Sequence, residues 1–247
     1  MHSDIVIVGR GRLGRSLALL LEQRDCPATL IGREPIPTGA DAVLLAVPDT
    51  AVSAVARTIP PGPVVLHCSG ALPVDVLHPH RPAGSFHPLM TFPGPEVALP
   101  DLRGVPAALD GDAEALAVGE ELARALDMLP LPVPGDRRLY HAAAVMAGNF
   151  ATVLLADAST VLEAAGVPAE QAAGALLPLA LASLRNAVPD PARALTGPAA
   201  RGDHATISAH LDALASGALH REEALYRALS DRALELARRC ADKNDTP

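Results

Sequence analysis

Lysine is nearly missing from this chain. Of its 20 basic residues only Lys243 is a lysine, and it stands in the polar stretch "DKNDTP" near the C-terminus. Chemistry that needs an active-site amine is excluded unless that tail folds inward. Cysteine is sparse too: Cys26, Cys68 and Cys240 are odd in number and widely spaced, with no C-x-x-C. That excludes a disulfide framework and fits a reducing, cytoplasmic setting. Positive charge is not in excess; the net charge of −8 argues against a nucleic-acid or anionic-membrane surface. The opening "MHSDIVIVG" has neither a basic region nor a long apolar run, so no signal peptide is expected. Later apolar stretches read as broken by Arg, Asp, Glu or Pro before about 18 residues, so no membrane span is expected. His67, Cys68, His78, His80 and His87 lack any standard ligand spacing, so no metal is expected.

What the 247 residues do contain is a globular balance, 49% hydrophobic and 19% charged, enough for one large domain or two modest ones. The first half alternates short aliphatic runs with helical stretches. "DIVIVG" (4–9), "ATLIG" (28–32), "DAVLLAVP" (41–48) and "PVVLHCSG" (63–70) read as strands, with "AGSFHP" and "VPAALDG" as further candidates. Runs this apolar are covered on both faces, which implies a parallel sheet joined by helices. "LDMLPLPVPG" (126–135) breaks the rhythm with three prolines and reads as a domain junction. Beyond it strand signals vanish, and helices are expected over 136–167, 168–187, 202–215 and 218–240. The expected architecture is α/β then all-α: residues 1–130 bind a dinucleotide, and residues 131–247 form a helical domain for substrate and dimerisation.

The strongest motif is Gly9-x-Gly11-x-x-Gly14, directly after the first strand and opening a helix. Gly9 permits the tight turn and Gly11 lets the backbone approach a pyrophosphate. Gly14 lets the helix pack close to the sheet, and the helix N-terminus supplies amide donors. Arg10, Arg12 and Leu13 complete the loop; the two arginines either add positive potential over the phosphates or are simply exposed. An NAD-selective site places an acid at the end of the second strand, where this chain has Gly32 followed by Arg33. Arg33 either pairs with the 2′-phosphate of NADP(H), the preferred cofactor, or is a solvated loop residue, which leaves NAD(H) possible. Glu34 comes one residue late and is expected to point away. Ala46, Val47 and Pro48 end the third strand at the edge where open α/β sheets bind ligands. Asp49 is either the cap of the next helix or a ligand contact. Ser69, followed by Gly70, suits backbone approach to the same ligand.

Downstream lie "HCSGA" (67–71), "SFHPLMTF" (85–92), "LYHAAAVMAGNF" (139–150) and "LTGPAARGDHAT" (195–206). With "GRGRLG" and "AVPD", these pieces in this order resemble a bacterial family of candidate oxidoreductases. That family has a Rossmann-like domain followed by a C-terminal domain of unknown function, number 2520. It looks like a branch of the 6-phosphogluconate dehydrogenase-like superfamily, beside ketopantoate and pyrroline-5-carboxylate reductases. The resemblance implies a site between the sheet edge and the first long helix, and a homodimer formed through the helical domain. Ketopantoate reductases carry a pattern similar to Lys-x-x-x-Asn-x-x-x-Asn on that helix. Laid on this chain by its last Asn, it falls on His141, Val145 and Asn149.

Histidine in the lysine's place is chemically sensible, because an ordinary imidazole can give a proton to a carbonyl oxygen as hydride arrives. Asn149 would then donate to the substrate; the bland reading makes both residues polar anchors of a core helix. On one straight helix the two would stand about 12 Å apart in rise. His67 and His87 either line the substrate pocket or anchor loops. Arg201 either binds an anionic substrate group or pairs with Asp203, which is placed as a helix cap. The expected function is NADP(H)-dependent reduction of a small carbonyl or imine compound bearing a carboxylate. The alternative is an NADP(H)-binding sensor or partner-binding protein without turnover. Nucleic acid and membrane are not expected partners.

Overall fold

The computed structural model describes residues 4–244, with side chains through Arg239; Cys240 and Lys243 lie outside the described side chains. The chain divides at Gly148/Asn149 into two compact units. In the first, the strands are β1 (Ile5–Val8), β2 (Thr29–Ile31), β3 (Ala42–Leu45), β4 (Val64–His67), β5 (Ala83–Pro88), β6 (Pro106–Gly111) and β7 (Leu129–Pro132). They form one sheet in the order β2-β1-β3-β4-β5-β6-β7. The first five are mutually parallel, β6 runs antiparallel to β5, and β7 runs parallel to β6. The chain moves outward from β1 to β2 and then back across to β3. That reversal opens a crevice at the carboxyl edge, the place where such sheets bind ligands.

Side-chain alternation decides what covers each face. Ile5, Ile7, Ala42, Leu44, Val64 and Leu66 point to one side, where α1 (Arg12–Glu22) and α3 (Ala113–Ala125) bring Leu17, Leu21 and Leu122. Val6, Val8, Val43, Leu45 and Val65 point to the other, against Val52 and Ala56 of α2 (Asp49–Ala56) and Leu77 of a 3-10 turn. Apolar residues at every position, rather than every second one, are what a sheet buried on both faces requires. Each large aliphatic side chain so buried contributes roughly 1.5–3 kcal/mol.

Two sequence expectations are corrected. The proline-rich stretch read as a junction is an edge strand instead. In β7, Leu129 donates to Val105 O and nearby Val133 donates to Leu109 O, while Pro130 and Pro132 alternate with the donors. Proline is tolerated only where no inward donor is needed, and at an outer edge it also discourages further pairing. The expected helix over 136–167 is divided at Gly148 into α4 (Arg137–Ala147) and α5 (Asn149–Ala164). Gly148 has helical backbone angles, yet glycine is the weakest helix former after proline. The unit boundary at Gly148/Asn149 therefore leaves α4 with the sheet, 18 residues past the 130/131 junction read from sequence.

The second unit is helical: α5, α6 (Ala169–Ala187), α7 (Pro191–Ala194), α8 (Pro198–Arg201), α9 (His204–Ser216) and α10 (His220–Asn244). Asp203 caps α9 through Thr206 N, as its placement implied. Among the described residues one helical stretch, Arg137–Ala164, is long and apolar enough to cross a membrane by length and composition. The sequence expectation missed it because Arg138 and Asp157 leave all of 139–156 without charge.

The close approach of α1 to the sheet makes a testable demand. A methyl group at position 14 would lie 1.9 Å from Gly9 O, whereas one at Gly174 on α6 meets nothing within 4 Å. Gly14→Ala is expected to lower unfolding free energy in urea by about 1–3 kcal/mol. Gly174→Ala should instead raise it by up to about 1 kcal/mol, by improving helix propensity. A Gly14→Ala protein as stable as wild type contradicts this packing.

Candidate functional site

The glycine loop has the geometry its motif demands. Gly9 sits at φ +123°, and a side chain there would meet Ala46 O at 2.3 Å. The position thus requires glycine for both torsion and space. Gly11 is different: its backbone is ordinary and a methyl group would meet nothing within 4 Å. The space above it is open. Gly11 caps α1 without any side-chain hydrogen bond, and no acid stands in the first turn. The first amides and the positive end of the helix dipole are therefore free of a competing carboxylate, as a phosphate requires. Leu13 instead packs on the core, and Arg10 and Arg12 are exposed. Ala46 and Val47 line the Gly9 turn, and Pro48 is the residue before α2.

At the end of β2 the structure revises the sequence reading. Glu34 does not point away: its Oε2 accepts from Gly32 N at 2.5 Å, and its Oε1 pairs with Arg10 Nη2 at 2.7 Å. Backbone hydrogen bonds from Glu34 and Gly32, then the Arg10 guanidinium, hold this carboxyl below its ordinary value. Arg33 is exposed beside it.

The ends of β4 and β5 carry the chemistry. His67 closes β4, fully buried, with Nδ1 accepting from Ser69 N at 3.2 Å. His87, near the end of β5, shares a 2.8 Å hydrogen bond through Nδ1 with Tyr140 Oη of α4. The His141 ring stands edge-on to His87, centroids 6.2 Å apart. Gly70 makes that meeting possible, since a methyl group there would lie 2.6 Å from His141 Cδ2 and 2.9 Å from His87 Nε2. Two strand ends and the first turns of α4 thus converge on one point of the sheet edge. Burial first, then the nearby Arg137, lowers His67 to about 4. Burial, Arg137 and His141 lower His87 to about 4 as well. Both are neutral at ordinary pH.

Of two further residues in this cluster, Arg137 was not legible as a site candidate and Asp49 was legible only as a helix cap or a ligand contact. Arg137 opens α4, yet only 4% of it is exposed, and Nη2 donates to Ser69 O at 3.0 Å. Its guanidinium lies over the Tyr140 ring at 5.3 Å. Asp49 is the first residue of α2 rather than its cap; Oδ2 accepts from the Ser69 hydroxyl at 2.9 Å. That hydroxyl also accepts from Ala71 N and Leu72 N, so Ser69 is committed to shaping the turn after β4. An Arg-x-x-Tyr-His run at the start of a helix is the signal that was available, because i and i+3 share a face.

Two further expected residues belong to the helical unit. Asn149 begins α5 and is exposed. Arg201 ends α8, also exposed and also in the helical unit. That unit holds a cavity of about 740 Å³, lined by Leu154, Val161, Ile207, Leu214, Tyr226 and Leu229 among others. Its lining is mostly aliphatic, and it includes the 2.7 Å hydrogen bond between His210 and Tyr226. Among the described residues no group of three His, Cys, Asp or Glu side chains is placed to hold a metal.

The lowered histidines set a pH dependence. Unfolded histidine titrates near 6.5, so between pH 6.5 and 4 the unfolded chain binds protons that folded His67 does not. Stability is complete above about pH 6.5 and is lost as pH falls toward 4, by on the order of 3 kcal/mol for His67. His67→Asn keeps an acceptor for Ser69 N and removes the titration. The urea midpoint of wild type should fall across that window and that of the variant should fall less; equal slopes contradict the assignment.

No curated protein matches the sequence. The fold is shared with solved structures over nearly the whole chain. A candidate NADP oxidoreductase from Bacteroides fragilis superposes with a TM-score of 0.75 at 24% identity, covering 94% of this chain and 98% of that one. An Aspergillus terreus reductive aminase in complex with NADPH and ethyl levulinate gives 0.62 at 18%, covering 97% and 95%. Plasmodium falciparum pyrroline carboxylate reductase with NADP bound gives 0.61 at 12%, covering 96% and 98%. The family model described as domain of unknown function 2520 matches residues 105–233, just over half of the chain. By that match, the chain belongs to the domain of unknown function 2520 family.

Proposed function

We propose that the chain is an NADP(H)-dependent oxidoreductase that reduces a small carbonyl or imine compound. The observation that carries this reading is the uncapped glycine turn at Gly11, on the same sheet edge as the His87, Tyr140 and His141 cluster. The amides that open α1 would hold the pyrophosphate, with Arg10, Arg12 and Arg33 adding positive potential. When bound, NADPH supplies the hydride. The chain's own part is to place the substrate and to deliver one proton to the oxygen or nitrogen that receives charge. His141 is the proposed donor, with the His87–Tyr140 hydrogen bond fixing the imidazole it faces. NADP and NADPH in the pyrroline carboxylate reductase and reductive aminase structures support the cofactor and the imine option. Cysteine usage supports a cytoplasmic setting.

One observation favours NAD(H) instead. The Glu34 carboxylate held at Gly32 N stands where a ribose diol would be recognised, and a 2′-phosphate would have to displace it from Arg10. Comparing NADPH and NADH affinity therefore decides the cofactor. The reading expects NADPH to bind more tightly and Arg33→Ala to narrow the difference.

We propose also that the helical unit forms a homodimer. On α6, Leu177, Leu181, Leu184 and Val188 at its C-cap recur at helical spacing and are all exposed. A contiguous apolar stripe of this kind marks an interaction surface. Sedimentation should give a dimer, and Leu181→Glu with Leu184→Glu should give a monomer. A monomeric wild type removes this proposal.

The activity itself is checked by following NADPH oxidation against a panel of oxo acids and cyclic imines. His141→Ala is expected to lower kcat/KM by roughly 10²–10⁴-fold. Gly11→Ala should abolish tight NADPH binding while leaving the unfolding midpoint unchanged. Full activity in His141→Ala moves the proton to His87 and Tyr140. Tight NADPH binding with no turnover on any compound leaves the sensor reading, and no binding at all sinks both.

A further inference from the structure

Among the described residues, Arg137 is a buried charge without a partner of opposite sign. The residue is 4% exposed, and its Nε and Nη1 are buried with no hydrogen-bond partner among those residues. Its only hydrogen bond to a described residue is the one from Nη2 to Ser69 O, out of the five a guanidinium can make. No ion pair to Arg137 occurs among the described residues. Asp110 acts on it only through space, and one oxygen of that carboxylate already accepts from Gly111 N. Tyr140, His67 and His87 beside it are neutral, and the Asp49 carboxylate of the cluster accepts from the Ser69 hydroxyl rather than from Arg137.

Removing a cation from water costs several kcal/mol unless an anion and further hydrogen bonds compensate it. Native proteins leave few such groups unsatisfied, and those they leave are accounted for by strain, a bound water or ion, or a catalytic role. Simple bridging of α4 to β4 does not account for this side chain, since a neutral donor would bond Ser69 O at lower cost. Nη2 carries a second N–H besides the one given to Ser69 O. Either edge of the planar fork, Nε with Nη2 or Nη1 with Nη2, therefore matches a carboxylate, which accepts two parallel N–H bonds. The half-buried Tyr140 ring lies over the guanidinium, edge-on to His87 and hydrogen-bonded to it through its hydroxyl.

We propose that Arg137 is the receptor for an anionic group, a carboxylate, on the substrate, with the Tyr140 ring as its movable cover. This rests on the reductase reading of the same edge and names its substrate class. The carboxylate would dock beside Ser69, leaving the adjoining carbonyl or imine carbon toward His87 and His141. Arg201, the anion anchor suggested by sequence, is not needed for this.

The test uses full-length protein saturated with NADP⁺ and two probes, pyruvate and its neutral methyl ester. Proton–nitrogen correlation spectra of the arginine Nε–H groups, assigned through their own backbone, are followed during titration. The Arg137 Nε–H signal should move with pyruvate and stay in place with the ester. In turnover, any accepted oxo acid should be preferred over its ester by roughly 10- to 100-fold, and Arg137→Met should erase that preference mainly through KM. An Arg137 signal unmoved by pyruvate overturns the proposal, and the spectra on wild type decide even if Arg137→Met does not fold. A folded Arg137→Met protein that keeps the preference overturns it equally. If the signal moves but NADPH is oxidised with no compound, the reductase reading fails and the anion site stands. If NADPH is oxidised only with neutral compounds, the anion site fails and the reductase reading stands.

Discussion

Everything placed at the carboxyl edge of the sheet depends on backbone approaching backbone more closely than a side chain would allow. Gly14 presses against Gly9 O, Gly9 against Ala46 O, and Gly70 admits the rings of His87 and His141. Each contact removes a Cβ that would otherwise hold helix from strand or ring from turn. The first two seat α1 so that its N-terminus faces the crevice between β1 and β3. The third lets two imidazoles from separate elements meet over the end of β4. One steric constraint thus forms both the open, uncapped glycine turn and the histidine cluster.

Electrostatics then follow from burial. The ends of β4 and β5 hold one buried arginine and two imidazoles too desolvated to charge, so the buried positive charge there is that of a single guanidinium. Ser69 ties these parts together: its amide donates to His67, its hydroxyl to Asp49, and its carbonyl accepts from Arg137. This turn is held from three directions, which suits a site that must fix a small ligand relative to a cofactor. At the other end of the crevice, Glu34 and Arg10 satisfy each other in the open. Such an exposed pair is worth little in stability and is easily exchanged for a ligand.

The sheet was legible where apolar runs were uninterrupted: β1, β3 and β4 need both faces covered, and only aliphatic residues satisfy that. The glycine turn was legible because its three glycines follow a strand and open a helix; Gly9 and Gly14 have steric reasons to be glycine, and Gly11 leaves the space above it open. β7 was not, since proline breaks a central strand but not an edge strand, and sequence does not say which strand is the edge. Arg137 was not, since an arginine in the first turn of a helix normally reaches solvent; only the fold shows that it points at Ser69. Glu34 was misread because a side chain that folds back onto an amide two residues earlier leaves no periodic signal. His87 and His141 were legible as polar residues at the right edge, but their meeting depends on Gly70. Asn149 was read from the resemblance to the ketopantoate reductase pattern and Arg201 from its guanidinium fork; both are exposed residues of the helical unit.

The central claim is that the carboxyl edge, and not the apolar cavity of the helical unit, is where cofactor and chemistry meet. A crystal structure of the chain grown with NADP⁺ tests it most directly. The account predicts the pyrophosphate on the amides that open α1 and the nicotinamide ring beside His87 and His141. A dinucleotide seated in the cavity near His210 and Tyr226, or none bound at saturating concentration, would contradict it.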